Sequence, residues 1–284
     1  MLAFLPDAFH DDGADDAVRI AAEFASAGAK RLVLSHSWCR KFLSDPAFAQ
    51  DCRRAVREAG LAFQDAHAPY GEDWDLNGNH AEIESHRRLI GLCAETGVLT
   101  YTIHIGPPYG GQSVQESVSQ SCKAIERILP AAEDAKVVIA CENIYYPTTT
   151  SKCLLGVLRT FESPYLRFCY DAGHANLMTQ GVRDGTLCDW VEASWIKAGI
   201  TPIVDDFEEL WPYLVTCHLH DNGAAGDDHN LPGAQGCTID WPELRKRLLA
   251  APGLISLQTE VHAAVYRLSA QDVASAFRQL AFVF

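Results

Sequence analysis

Three histidines and three aspartates fall within residues 218–233, HLHDNGAAGDDHNLPG. Asp, Asn and Gly are ordinary turn formers, so this stretch alone decides little. Its weight comes from what recurs elsewhere. His67 (DAHAPY), His104 (TIHIG), Glu142 (ACEN), Asp171 with His174 (YDAGH), His218 with Asp227 and His229, and Glu260 (QTEV) each stand in, at the end of, or just beyond a short apolar run. If those runs end at one place, four carboxylates and five imidazoles share a small volume. Carboxylates so crowded would lose hydration and raise one another's pKa. A divalent cation removes that penalty, and a mixed His/Asp/Glu set suits Zn, Mn, Co or Fe rather than Ca. The chemistry to expect is metal chemistry.

The elements that must position these residues are eight strand-like runs. They are LAFL (2–5), RLVLS (31–35), LAFQDAH (61–67), LTYTIHI (99–105), KVVIACE (136–142), LRFCYD (166–171), LVTCHLH (214–220) and LISLQTE (254–260). Between them lie stretches with apolar residues at helical spacing. In DDAVRIAAEFASAGA, Val18, Ala21, Ala22, Ala25 and Ala29 line one face. Eight strands alternating with helices predict an α/β fold, a (β/α)8 TIM barrel in one domain over residues 1–284, with the site at the carboxyl ends of its strands. A doubly wound sheet is the alternative, but no G-x-G-x-x-G follows the first strand. No Pro/Gly/Ser linker divides the chain. The unit between Asp171 and Leu214 is oversized, and Leu187, Trp190, Val191 and Trp195 form an apolar helical face within it. A long outer-ring helix and a flap over the barrel mouth fit it equally.

The net charge of −14 disfavours nucleic acid as a partner. The basic clusters Arg53/Arg54/Arg57, Arg87/Arg88 and Arg245/Lys246/Arg247 read as solvated helix faces. No apolar run reaches the roughly 20 residues of a membrane span, and the first residues lack the basic start of a signal peptide. Ten cysteines without a C-x-x-C pair predict reduced thiols and a cytoplasmic protein.

In this order, the motifs resemble the xylose-isomerase-like TIM-barrel superfamily, which holds sugar isomerases and epimerases as well as endonuclease IV-type abasic-site nucleases. YDAGHANL and HLHDNGAAGDDHNLPGAQGCTIDW carry most of the resemblance. It implies a core metal site of Glu142, Asp171, His218 and Glu260, as in the epimerases. His67, His104, His174, Asp227 and His229 match the additional ligands of the nuclease group's trinuclear zinc centre. One to three ions of Mn, Zn, Co or Mg are therefore implied. Similar barrels are often dimers or tetramers, so a homo-oligomer is compatible with the resemblance.

Two activities follow as expectations. In the first, a sugar or sugar-like polyol ketone is isomerised or epimerised through an enediolate, stabilised by the cation, with Glu142 and Glu260 as base and acid in turn. Trp38, Trp74, Tyr109, Tyr145 and Tyr146 follow strands two to five and would wall the carbohydrate. In the second, two or three zincs hydrolyse a phosphoester. Against it, no Lys or Arg occurs from residue 198 to 244, where a phosphate partner would be expected. Arg40, Lys41, Arg183 and Arg267 remain candidates for that role. The same gap weakens a phosphorylated sugar as substrate. A non-catalytic barrel that binds metal or sugar is a third expectation, without a sequence feature in its favour.

Overall fold

Short β-branched and aliphatic runs that are buried on both faces favour parallel strands covered by helices. In the computed structural model, which describes residues 2–6 and 16–282, eight such runs become β1 (Leu2–Phe4), β2 (Arg31–Leu34), β3 (Ala62–His67), β4 (Thr100–Ile103), β5 (Val138–Glu142), β6 (Leu166–Asp171), β7 (Leu214–Leu219) and β8 (Leu257–Thr259). They pair in sequence order, all parallel, and β1 closes on β8 with Ala3 opposite Gln258. The predicted barrel is what forms.

Which residues face the barrel interior follows from one contact across it. Ser256, just before β8, donates to Asp65 Oδ1 on β3 at 2.5 Å, although these elements are not neighbours in the barrel. Thr100 on β4 also donates to Asp65 Oδ1, and Thr216 on β7 lies 3.0 Å from Ser256 Oγ. Side chains alternate along a strand, so two residues further on, His67, Thr102, His218 and Gln258 also face inward. Burial pushes the Asp65 carboxyl up to about 6, against the hydrogen bonds from Ser256 and Thr100.

Eleven helices occur among the described residues: α1 (Ala17–Ser26), α2 (His36–Ser44), α3 (Pro46–Glu58), α4 (Ile83–Thr96), α5 (Val114–Ala135), α6 (Ser151–Phe161), α7 (Ala172–Asn176), α8 (Val182–Asp184), α9 (Asp189–Lys197), α10 (Trp241–Ala250) and α11 (Ala270–Gln279). Their starts are written in the sequence. Asp16, Ser35 and Asp45 cap α1, α2 and α3, and Ser113 with Glu116 forms a reciprocal capping box on α5. The buried face of α1 is Ala17, Ile20, Ala21 and Phe24. Val18 is 69% exposed, so the expected face is rotated, because burying Ile20 and Phe24 removes more apolar area than burying small alanines.

The oversized unit does not form a long outer-ring helix. It breaks into α7, a widened π-turn at 177–181, α8 and α9. Val191 and Trp195 are buried while Trp190 is 53% exposed. Trp195 Nε1 donates to the Tyr145 carbonyl at 2.8 Å, and the Cys188 amide donates to the Ala225 carbonyl. The unit is thus docked on the loops at the barrel mouth. No helix among the described residues is long and apolar enough to cross a membrane.

Candidate metal centre

Strand parity positions the candidate ligands. His67 and Glu142 end β3 and β5, Asp171 ends β6, and His104 and Glu260 stand one residue beyond β4 and β8. On β7, His218 faces inward, and His220, two residues on, keeps the same side. Asp171 has a second task, since its Oδ1 accepts the His174 amide at 2.6 Å and caps α7. That cap places His174 one short turn from the carboxylate. Gly173 is required there, because a Cβ would lie 2.0 Å from the His220 ring.

The loop after β7 is closed by paired backbone hydrogen bonds between Asp221 and Asn230. The Asp221 carboxylate accepts from Trp241 Nε1 (2.5 Å), the Gly233 amide (2.9 Å) and the Ile239 amide (3.3 Å). Asn222 Nδ2 donates to the Gly173 carbonyl, and its Oδ1 accepts from Asn176 Nδ2 and the Ala224 amide. This framework sets Asp227 and His229 against α7. The turn residues of HLHDNGAAGDDHNLPG thus build the loop that carries two of the candidate ligands.

All nine predicted ligands come together. The donor atoms of Glu142, Asp171, His218 and Glu260 lie within 4.8 Å of one another. His218 Nδ1 is 3.2 Å from Glu260 Oε2, 3.4 Å from Glu142 Oε2 and 3.7 Å from Asp171 Oδ2. Glu142 Oε2 also meets His104 Nε2 at 3.2 Å and His67 Nε2 at 3.5 Å, forming a second group. A third contains His174, Asp227 and His229, with Asp227 3.1 Å from His174 Nε2 and 3.2 Å from His229 Nε2. His220 belongs to this third group, and sequence reasoning missed it, although it stands two residues beyond His218.

The electrostatics without a cation show what the donors require. Burial pushes the Glu142 carboxyl up, but the His218 and His104 imidazoles outweigh it and hold the group well below the usual carboxylate range. Burial disfavours charge on His218 as well, yet Cys169, Glu260 and Glu142 raise it well above an ordinary histidine. At His174 burial is likewise overcome by Asp171 and Asp227, and at His229 Asp227 prevails and gives about 9. Protons on imidazoles therefore balance the buried carboxylates. Both ring nitrogens of His218, and Asp227 Oδ1, are buried without a hydrogen-bond partner. Orphaned donor atoms within a convergent His/Asp/Glu set fit a divalent cation.

The centre floors a cavity of about 400 Å³. Tyr109, Tyr145 and Tyr146 line it as expected, together with Tyr70, Asp75, His36 and His262, which the sequence reading passed over. Tyr70 stacks on His104 with centroids 5.3 Å apart, and it lies three residues beyond His67, where its motif could have revealed it. Two expected wall residues are corrected. Trp38 is fully buried against Phe48 and Phe63, because helical spacing in α2 turns it toward the core. Trp74 is 8% exposed, packs on His86 and lies under the Arg40 guanidinium, so it supports its loop and does not line the cavity. Among the described residues, no lysine or arginine lines the cavity.

A family model described as xylose isomerase-like TIM barrel matches residues 19–280. Solved structures repeat the whole fold. The E. coli 3-keto-D-glucoside 4-epimerase YcjR is 14% identical with a TM-score of 0.69, covering 99% of this chain and 98% of that one. D-psicose 3-epimerase from Clostridium cellulolyticum H10, solved with D-tagatose, is 10% identical with a TM-score of 0.68 over 99% and 98%. The IOLI protein with a bound zinc atom is 16% identical with a TM-score of 0.68 over 99% and 96%. At these identities the likeness is one of fold. None of the curated proteins compared with the chain matches it significantly.

Proposed function

The chain belongs to the xylose isomerase-like TIM-barrel family, and from that premise we propose that it is a divalent-metal-dependent isomerase or epimerase of a free sugar or a sugar-like polyol ketone. One observation carries this reading: Glu142 and Glu260 both approach His218 Nδ1, at 3.4 and 3.2 Å, on the floor of a cavity without lysine or arginine among its described lining. Glu142, Asp171, His218 and Glu260 would hold the ion, with zinc, manganese, cobalt or magnesium as candidates. When bound, it supplies Lewis-acid stabilisation of the negative charge that develops on a carbonyl oxygen. One glutamate takes the proton from the carbon beside that carbonyl and releases it to solvent, while the other takes up a solvent proton and delivers it to the enediolate. Return to the opposite face inverts the centre. Tyr109, Tyr145 and Tyr146 wall the substrate. Neighbours that bear the names of 3- and 4-epimerases of ketoses and keto-glucosides support the same reaction class. The ten free cysteines fit a reducing, cytoplasmic location.

A second reading has its own observation. The groups His67/His104/Glu142 and His174/His220/Asp227/His229 flank the central four residues, so up to three ions could be held, as phosphoester hydrolysis by several zincs requires. The absence of lysine and arginine from the described lining weighs against a phosphate substrate. Incubating the protein, with its native metal, with a panel of free ketoses and separately with an abasic-site duplex tests the two together. New ketose signals in the NMR spectrum support the first reading. Strand cleavage without ketose turnover would replace it with the second.

A further inference from the structure

The cavity wall nearest β3 and β4 contains a carboxylate that the reaction above does not use. Asp75 is 4% exposed and lines the cavity, yet it belongs to none of the ligand groups. Its Oδ1 accepts the Gly71 amide at 3.0 Å, and its Oδ2 accepts the Tyr109 hydroxyl at 2.5 Å. Each carboxylate oxygen has a second lone pair, and the Tyr109 oxygen, having donated its proton, offers only acceptor capacity.

This pair is built into place. Gly106 lies so close that a Cβ there would stand 2.2 Å from Asp75 Oδ2 and 2.6 Å from Tyr109. Gly106 is itself clamped, because its amide donates to Asn77 Oδ1 at 2.7 Å, and its carbonyl accepts from Asn77 Nδ2 at 3.0 Å and Thr148 Oγ1 at 2.6 Å. The imidazoles that bear on Asp75 are those of His104 and His67, both within 3.5 Å of the central carboxylate Glu142. Residues 7–15, outside the described part, contain no Lys or Arg either.

We propose that the Asp75–Tyr109 pair is a specificity subsite that reads the end of the substrate away from the ion, requiring a hydrogen-bond donor there and rejecting an anion. The inference rests on the epimerase reading and names its substrate class: ketoses ending in a free hydroxyl, not in a phosphate or carboxylate. A hydroxyl satisfies the open acceptors. A phosphate brings only acceptors and like charge to a buried carboxylate, with no lysine or arginine among the described cavity lining to offset it.

Calorimetric titration of the protein, carrying its native metal, with matched pairs tests this: D-tagatose and D-fructose against their 6-phosphates. The 6-phosphates bind the wild type at least about tenfold more weakly, equivalent to about 1.4 kcal/mol. Asp75→Asn keeps the side-chain volume and removes the charge, so the gap narrows to about threefold or less. Tyr109→Phe weakens the free ketoses but leaves the penalty on the phosphates, because Asp75 keeps its charge. Thermal melting of both variants checks that each is folded. Equal or tighter binding of the 6-phosphates to the wild type overturns the subsite, as does an unchanged gap in folded Asp75→Asn. Those results leave the epimerase reading standing, whereas no binding by either free ketose removes both.

Discussion

Glu142 Oε2 lies within 3.5 Å of the imidazoles of His67, His104 and His218. An imidazole must be neutral to ligate, while His174 and His218 are held well above the usual histidine range and His229 at about 9. Near neutral pH the ion must displace protons. Metal affinity should therefore rise with pH towards about 9, and calorimetry in buffers of different ionisation enthalpy should show at least about one proton released per ion. A count of zero would mean that these imidazoles are not ligands. Glu142→Gln and Glu260→Gln should each lower kcat at least about 100-fold, the usual scale for losing a general acid or base, as measured by ketose turnover at saturating metal. At this scale the sequence was most legible for ligands. His, Asp and Glu are costly at the ends of buried strands unless something pairs them, so His67 through Glu260 stand out in the sequence as candidates, and the structure brings them together. Aromatic residues carry no such signal, because burial alone explains Trp38 as well as a binding wall would. Asp75 and His262 escaped notice because they sit in loops where charge is ordinary.

Two elements hold the site from outside. The loop after β7 hangs on Asp221, whose carboxylate accepts three hydrogen bonds from Trp241, Gly233 and Ile239. Asp221→Ala leaves those donors unsatisfied at about 1–3 kcal/mol each. Denaturant titration should show a loss of several kcal/mol, and the weakest-bound metal should fall in occupancy, because Asp227 and His229 ride on this loop. The loop containing Asp75 is tied down by His86 on α4. Its Nε2 donates to the Trp74 carbonyl and its Nδ1 accepts from the Tyr101 hydroxyl, both at 2.8 Å, an assignment that requires the neutral ring. Burial lowers this histidine from 6.5 to about 4. Its contribution is therefore fully present above pH 6.5 and lost as pH falls towards 4, a difference of about 3 kcal/mol. Chemical denaturation of His86→Gln should show a shallower acid loss over that window than the wild type, and parallel curves would contradict the assignment. The strands were legible because their apolar runs are short and bounded. The 171–214 unit was legible only in part: Val191 and Trp195 keep the helical spacing in α9, but their docking on the Tyr145 and Ala225 loops is a long-range contact that spacing does not encode.

The whole molecule carries a formal charge of −14, and Asp75, Glu142, Asp227 and Glu260 line the cavity at the mouth of the barrel. A polyanion approaching that end meets repulsion that no described lysine or arginine in the cavity relieves. Abasic duplex DNA should bind weakly and remain uncut even at low salt, as a gel cleavage assay would report. Fold class and site position were both readable at this scale, because eight alternating runs and a ligand at the end of six consecutive strands admit few arrangements. Substrate identity was not, since it depends on loop side chains brought together from distant parts of the chain. In the proposed reaction Glu142 and Glu260 move a proton at the carbon beside a carbonyl. Mass and NMR analysis of free ketoses incubated with the protein, carrying its native metal, in deuterium oxide measures that directly, even where no net product accumulates. Deuterium at the carbon next to the carbonyl is expected with the wild type, and for a given ketose none once the glutamate that takes its proton is replaced, by Glu142→Gln or by Glu260→Gln. Turnover of a ketose without solvent deuterium, or no exchange on any ketose, would contradict it.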